Sequence, residues 1–204
     1  MNKIAIEFIY FTMILLLFGC GSSTSLESMQ PYTFELNKLN TKFDDREKWL
    51  KILHWSDKCE SQFQQQADYR REQDWGGITI YEVEDSKYVI LVHCWLGPYW
   101  SLNELFLLHT NVETPIVDQL RLKQIVRDEN GVFQEQYITE IYGSYPDFDE
   151  NTQTLVNLVK GRGVGGCGYY YAYKFVGDEF VLEEAKYQEC GNELVPIEEW
   201  KKVY

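Results

Sequence analysis

Apolar positions recur along this chain with two spacings, and the change between them falls at Gly76-Gly77. Over residues 44–66 the spacing is helical: Trp49, Ile52, Leu53 and Ser56 share one side, a stripe that a helix lays on a core. Asp44 with Glu47 three positions later has the form of an N-cap arrangement, and Ser56-Asp57 restarts the pattern in a further turn that carries Cys59 inward. Beyond Gly76-Gly77 the spacing is that of strands. Residues 78–83 are mixed, and 88–96 are almost continuously apolar, as in a strand covered on both faces. Gly97-Pro98 turns the chain into a strand over 105–108. Residues 120–126 alternate and run into Asp128-Glu-Asn-Gly131, a hairpin-type turn. Further strands are predicted over 136–142, 154–160, 169–176 and 179–187, joined by short turns without helical spacing between them. The pattern predicts an α+β fold: an N-terminal helical segment followed by a mainly antiparallel β sheet, as a sandwich or partly closed barrel rather than βαβ units.

Residues 1–19 read as a targeting segment and stay outside this reasoning. Lys3 supplies a positive start, and residues 8–18 are apolar over about half the ~20 residues a membrane-spanning helix needs. They end in Leu17-Phe18-Gly19-Cys20, which resembles the lipobox of bacterial lipoproteins. The resemblance implies cleavage before Cys20 and acylation of its sulfur and amine, giving a lipid anchor to the membrane. Nothing acidic follows Cys20 directly, so the expected address is the outer membrane, facing the periplasm. Residues 20–40 carry the lipidated Cys and a Ser/Gly-rich tether, and ten such residues reach roughly 17 Å. Residues 41–204 are expected to form a single domain.

The chain has 204 residues, 45% hydrophobic and 25% charged, a balance that excludes wholesale disorder. Acids exceed bases by 32 to 19, for a formal charge of −13. That field repels phosphate backbones and disfavours nucleic acid as a partner; it leaves a cationic protein as a candidate. Of five cysteines, setting Cys20 aside leaves Cys59, Cys94, Cys167 and Cys190, which allow three pairings. Local continuity favours Cys59–Cys94 and Cys167–Cys190, the latter worth roughly 3 kcal/mol in the chain-entropy account. A metal site is the alternative, but there is no C-x-x-C, and His54, His93 and His109 show no ligand spacing.

Few motifs carry chemistry. Gly161-x-Gly163-x-x-Gly166 has the dinucleotide-binding spacing, whose physics needs a helix to follow; Gly168-Tyr-Tyr-Tyr-Ala-Tyr-Lys-Phe175 has strand spacing instead. The stretch reads as a bulged connection pinned by Cys167, or as an anion-binding nest at Gly163 with Arg162 as its fork. Asp147-x-Asp149-x-Asn151 opens like a calcium loop, yet Thr152 and Leu158 stand where Gly and Glu are needed, which favours an Asx turn over a metal site. Trp95, Tyr99 and Trp100 surround Gly97-Pro98, where aromatic rings stack on sugars, anchor a protein, or cap the core. Tyr169, Tyr171, Tyr173 and Phe175 fall on one face of a strand and read as core. There is no Gly-x-Ser-x-Gly, Ser-x-x-Lys or His-Glu-x-x-His, no catalytic residue is assigned, and no cofactor is expected. His93 beside Cys94 is a thiol dyad only if Cys94 is free. A carboxylate pair for glycoside cleavage depends on separation in space.

Lys160-Gly-Arg-Gly-Val-Gly-Gly-Cys-Gly168, the strand after it, Gly177-Asp-Glu-Phe-Val-Leu182, Cys190 and Trp200 resemble an uncharacterised bacterial envelope family. It is filed as domain of unknown function eleven-seventy-six. Tyr145-Pro-Asp-Phe-Asp149 with Thr152, Thr154 and Leu155, and His93-Cys94-Trp-Leu-Gly97, resemble further elements of it, so that most of 55–204 is covered. Gly166 stands where that family's pattern carries an acidic residue. The resemblance implies envelope localisation and disulfides, and supplies no reaction. The expectation is an envelope lipoprotein acting as a non-catalytic binding module for a macromolecular partner. The alternatives are a glycan-binding or glycan-cleaving protein, and a small-anion sensor built on Arg162.

Overall fold

The computed structural model describes residues 39–111, 114–144 and 146–204, all within one compact unit, Phe34–Tyr204. The leader, Cys20 and the tether up to residue 38 lie outside the described residues. The last two residues assigned to the tether are described, and form β1 (Leu39–Asn40), paired with Ile80 and Thr79.

The segment predicted helical over 44–66 holds two short helices, α1 (Arg46–Leu53) and α2 (Asp57–Gln64), and a third, α3 (Ala67–Glu72), follows beyond it. His54 ends α1 in the left-handed region (φ 53°), its N–H donating to the Leu50 carbonyl at 2.9 Å. Ser56 then caps α2, its Oγ accepting from the Cys59 N–H at 3.1 Å, as its restarting pattern suggests. Asp44 caps nothing: it lies in a 3-10 turn ahead of α1, whose N-cap residue, Asp45, makes no side-chain capping bond.

Twelve further strands follow among the described residues: β2 (Ile78–Glu84), β3 (Lys87–Leu96), β4 (Ser101–His109), β5 (Ile116–Gln119), β6 (Leu122–Arg127) and β7 (Phe133–Ile138), then β8 (Glu140–Gly143), β9 (Asp147–Asp149), β10 (Thr154–Lys160), β11 (Gly168–Val176), β12 (Glu179–Gln188) and β13 (Lys201–Lys202). One sheet runs β1-β2-β3-β4-β5, with β8 also on β4; a second runs β13-β12-β11-β10-β9; β6 and β7 form a ribbon. Every pairing is antiparallel. The single strand predicted over 136–142 divides at Thr139, because β7 pairs with β6 while β8 pairs with β4.

Alternation along β3 and β4 explains the layers. Val89, Leu91, Leu105 and Leu107 pack toward Tyr171, Tyr173, Phe175 and Leu182 of the second sheet. Ile90, Val92, Phe106 and Leu108 face the other way and are covered by Trp49, Leu53, Trp55 and Cys59 of the helical layer. A strand with both faces covered has no polar side, which accounts for the apolar run at 88–96, interrupted by His93 alone. The result is helices over one sheet over another, with neither sheet closed into a barrel.

Tyr171 and Tyr173 are core, as their face predicts, and burial pushes both phenols well above their ordinary range. The Tyr171 hydroxyl donates to the Ile125 carbonyl at 2.9 Å, whereas the buried Tyr173 hydroxyl finds no partner among the described residues. Tyr171→Phe is therefore expected to cost about 1 kcal/mol in denaturant unfolding, and Tyr173→Phe to leave stability unchanged or raise it.

Candidate functional site

The site forms where β3 and β4 meet at their turn. The β3–β4 register shifts between His93 and Trp95, so that Trp95 pairs with Leu102. The Gly97 N–H donates to the Trp100 carbonyl at 2.8 Å, closing the turn. Trp100 folds back over Gly97: a Cβ there would lie 3.2 Å from its indole nitrogen, tighter than most side chains tolerate. β8 adds a third ring, because its register sets Tyr142 opposite Leu102. Trp95 and Trp100 stack with centroids 6.2 Å apart, and Trp100 and Tyr142 lie 4.7 Å apart. Tyr142 is 44% exposed and Tyr99 55%, while the two indoles are half-buried. The three rings make a continuous aromatic ledge, with Trp95 on β3, Tyr142 on β8 and Trp100 in the closed turn between β3 and β4.

The Gly-rich connection lies against Tyr99, the residue before Trp100 of the ledge. It leaves β10 at Lys160 and returns as β11 at Gly168, closed by the Gly161 N–H donating to the Cys167 carbonyl at 2.9 Å. Gly163 sits on the Tyr99 ring so closely that a Cβ would fall 3.1 Å from it. Arg162 donates from Nε to the Gly165 carbonyl, from Nη1 to Gly191 and from Nη2 to Glu193, at 2.8–2.9 Å. Its fork thus spans two segments of chain, and the Cys167–Cys190 disulfide ties the same two segments. The structure brings together Trp95, Tyr99, Trp100, Arg162 and Gly163, which the sequence singled out separately. Tyr142 was missed, since nothing local marks it: only the return of β8 to β4 delivers it.

Asp147 and Asp149 flank the buried Phe148 on β9. The Asp149 carboxylate accepts from the N–H groups of Asn151 (2.9 Å) and Thr152 (3.4 Å), and bonds to Thr152 and Asn151 hold its carboxyl below the usual range. This is an Asx turn leading into β10. Among the described residues, the His, Cys, Asp or Glu ligand atoms that gather within 4.8 Å in a group of three belong to Cys59, Cys94 and Glu104. The two sulfurs are bonded to each other, so they offer no thiolates to a metal in this state, and Cys94 is no nucleophile.

Beneath the helices runs a chain of stacked contacts. The Arg46 guanidinium lies 4.6 Å from the Trp55 ring and 3.4 Å from Phe63; that of Arg70 lies 4.2 Å from Phe63 and 4.9 Å from Trp75. Trp75 then meets His93, with centroids 5.0 Å apart. Burial brings both arginines down to about 10, with Arg46 lowering Arg70 further. Burial, then the Arg70 charge, brings His93 down to about 3, so its ring is neutral. Its Nε2 lies 3.3 Å from the Thr79 hydroxyl.

The family model described as Protein of unknown function (DUF1176) matches residues 32–204. The chain belongs to that family. No curated protein and no solved structure matches it. In this DUF1176 protein the matched span contains the ledge, the Gly-rich connection and both disulfides.

Proposed function

We propose that this protein is a non-catalytic binding module of the bacterial cell envelope, anchored through lipid on Cys20, whose aromatic ledge holds a glycan strand. The observation that carries this reading is the row Trp95–Trp100–Tyr142, in which Trp100 of the β3–β4 turn stacks between Trp95 of β3 and Tyr142 of β8. Aromatic faces stack on the C–H faces of sugars, and rings held in place lose little entropy when they do so. An open row suits a polymer that continues past both ends. The cavities suit it less: one of about 320 Å³ is lined by Phe43, Arg46, Glu60 and Arg71 among others, one of about 430 Å³ by Arg121, Tyr137 and Glu140 among others, and none of the ledge residues lines either.

Trp100→Ala removes the ring that touches both neighbours, and retention of the full chain on isolated sacculi is expected to fall about tenfold or more. Unchanged retention, with the fold intact by near-ultraviolet circular dichroism, would overturn the glycan reading. The charge of −13 favours a second reading, a cationic protein as the partner. That reading gains if the chain slows lysis of sacculi by lysozyme without sedimenting with them.

A further inference from the structure

We infer that the Cys167–Cys190 disulfide is an exchangeable strap that regulates the ledge, an inference that rests on the ledge being the binding face. The two disulfides differ in access. Cys59 and Cys94 are 1% and 0% exposed, sealed under the helical layer, whereas Cys190 is an exposed residue bonded to the buried Cys167. A thiolate must reach a sulfur to exchange with it, so the bridge with one exposed residue is expected to exchange ahead of the sealed one.

The strap is joined through successive contacts to Tyr99, the residue next to Trp100 of the ledge. Gly161 lies against both sulfurs: a Cβ there would stand 2.7 Å from the Cys190 Sγ and 3.1 Å from that of Cys167. Arg162 holds the carbonyls of Gly191 and Glu193 at 2.8 Å. Gly163 backs the Tyr99 ring, and the Tyr99 carbonyl accepts from the Ser144 hydroxyl at 2.7 Å. Gly166 meets Leu194 so closely that a Cβ would be 2.8 Å from the leucine side chain. Opening the bridge leaves only the Arg162 and Gly166 contacts to hold 161–167 to the segment at 190–194, so the segment that backs Tyr99, the neighbour of Trp100, loses preorganisation.

The co-reactant is a dithiol, the chemistry of a thiol–disulfide oxidoreductase. Its thiolate attacks the Cys190 Sγ, forming a mixed disulfide and expelling the Cys167 thiolate, which takes up a proton. The second thiol, losing its proton, attacks the mixed disulfide and releases Cys190, which is protonated in turn. The dithiol gives up two electrons and two protons, and the bridge gains both.

The test is graded reduction of the folded full chain with dithiothreitol. Two thiols per chain, mapped to Cys167 and Cys190, are expected to open first. Retention on sacculi should then drop about fivefold and return on reoxidation. The double variant Cys167→Ser with Cys190→Ser should reproduce the drop without reductant. Simultaneous opening of both bridges overturns the inference, as does unchanged retention with this bridge open. If the oxidised chain does not bind sacculi at all, the ledge reading fails separately. The strap is then judged by amide hydrogen exchange at 99–100 and 161–167: faster exchange on opening supports it, and unchanged exchange overturns it.

Discussion

Lowering the pH from 6.5 to 3 is expected to cost this protein roughly 4 kcal/mol of stability through His93 alone. The folded chain holds His93 at about 3, against 6.5 for an exposed histidine. Below pH 6.5 the unfolded chain therefore takes up a proton that the folded chain refuses. Stability is fully present above pH 6.5, declines by up to about 1.4 kcal/mol per pH unit, and is lost by pH 3. Desolvation is the main cause, followed by the charge of Arg70 and then Arg46 from the helical layer; Asn103, opposite it on β4, works the other way. The check is urea unfolding of wild type and His93→Gln at pH 7, 5 and 4, followed by tryptophan fluorescence. Wild type should lose about 2 kcal/mol more than the variant by pH 5. Carboxylates held below their usual range, such as Asp128, Asp149 and Asp178, titrate in both proteins and cancel in the comparison. Parallel losses would show that His93 is not buried in its neutral form.

The second large effect is expected at Gly143→Ala. β8 is wedged there, with Gly143 opposite Ser101 of β4 and its flank against Asn157 of β10. An added Cβ would stand 1.9 Å from Asn157 Oδ1 and 2.9 Å from its Cγ. Asn157 has nowhere to go: it is fully buried and donates to the Tyr142 carbonyl at 3.3 Å. The Gly143 carbonyl is itself held by the Ser101 hydroxyl at 3.3 Å. The substitution is expected to cost about 3 kcal/mol by denaturant unfolding. Adding Asn157→Ala removes the obstructing amide, so the double variant should be more stable than Gly143→Ala alone. If Gly143→Ala unfolds like wild type, β8 does not sit between β4 and β10 as described, and Tyr142 loses its place on the ledge.

Legibility in the sequence follows how local each cause is. β10 to β12 were readable to within a residue or so, because their alternation is unbroken and the turns between them are short. The buried run of β3 announced its own position between two layers. The helical layer was readable in kind but not in number, since the left-handed turn at His54 falls on a residue with no obligatory preference for it. β1, β5, β9 and β13, of two to four residues, are too short to show a period; pairing with a longer neighbour makes them strands. At the site, the Trp95–Trp100 turn and the Gly-rich stretch were each visible, and their contact through Tyr99 and Gly163 was not. That contact depends on how the second sheet packs on the first. Arg46 and Arg70 escaped notice because a cationic side chain reads as surface; the Glu60 carboxylate and the Gly76 carbonyl on Arg46, Gln66 on Arg70, and the facing rings of Trp55, Phe63 and Trp75 together make the burial tolerable.

The central claim is that the ledge binds glycan, and co-sedimentation of the wild-type full chain with intact sacculi tests it most directly. The account predicts that the chain pellets with the sacculi and returns to the supernatant when a muramidase has cut the glycan strands to fragments. A chain that stays in solution with intact sacculi at every concentration tried would contradict it.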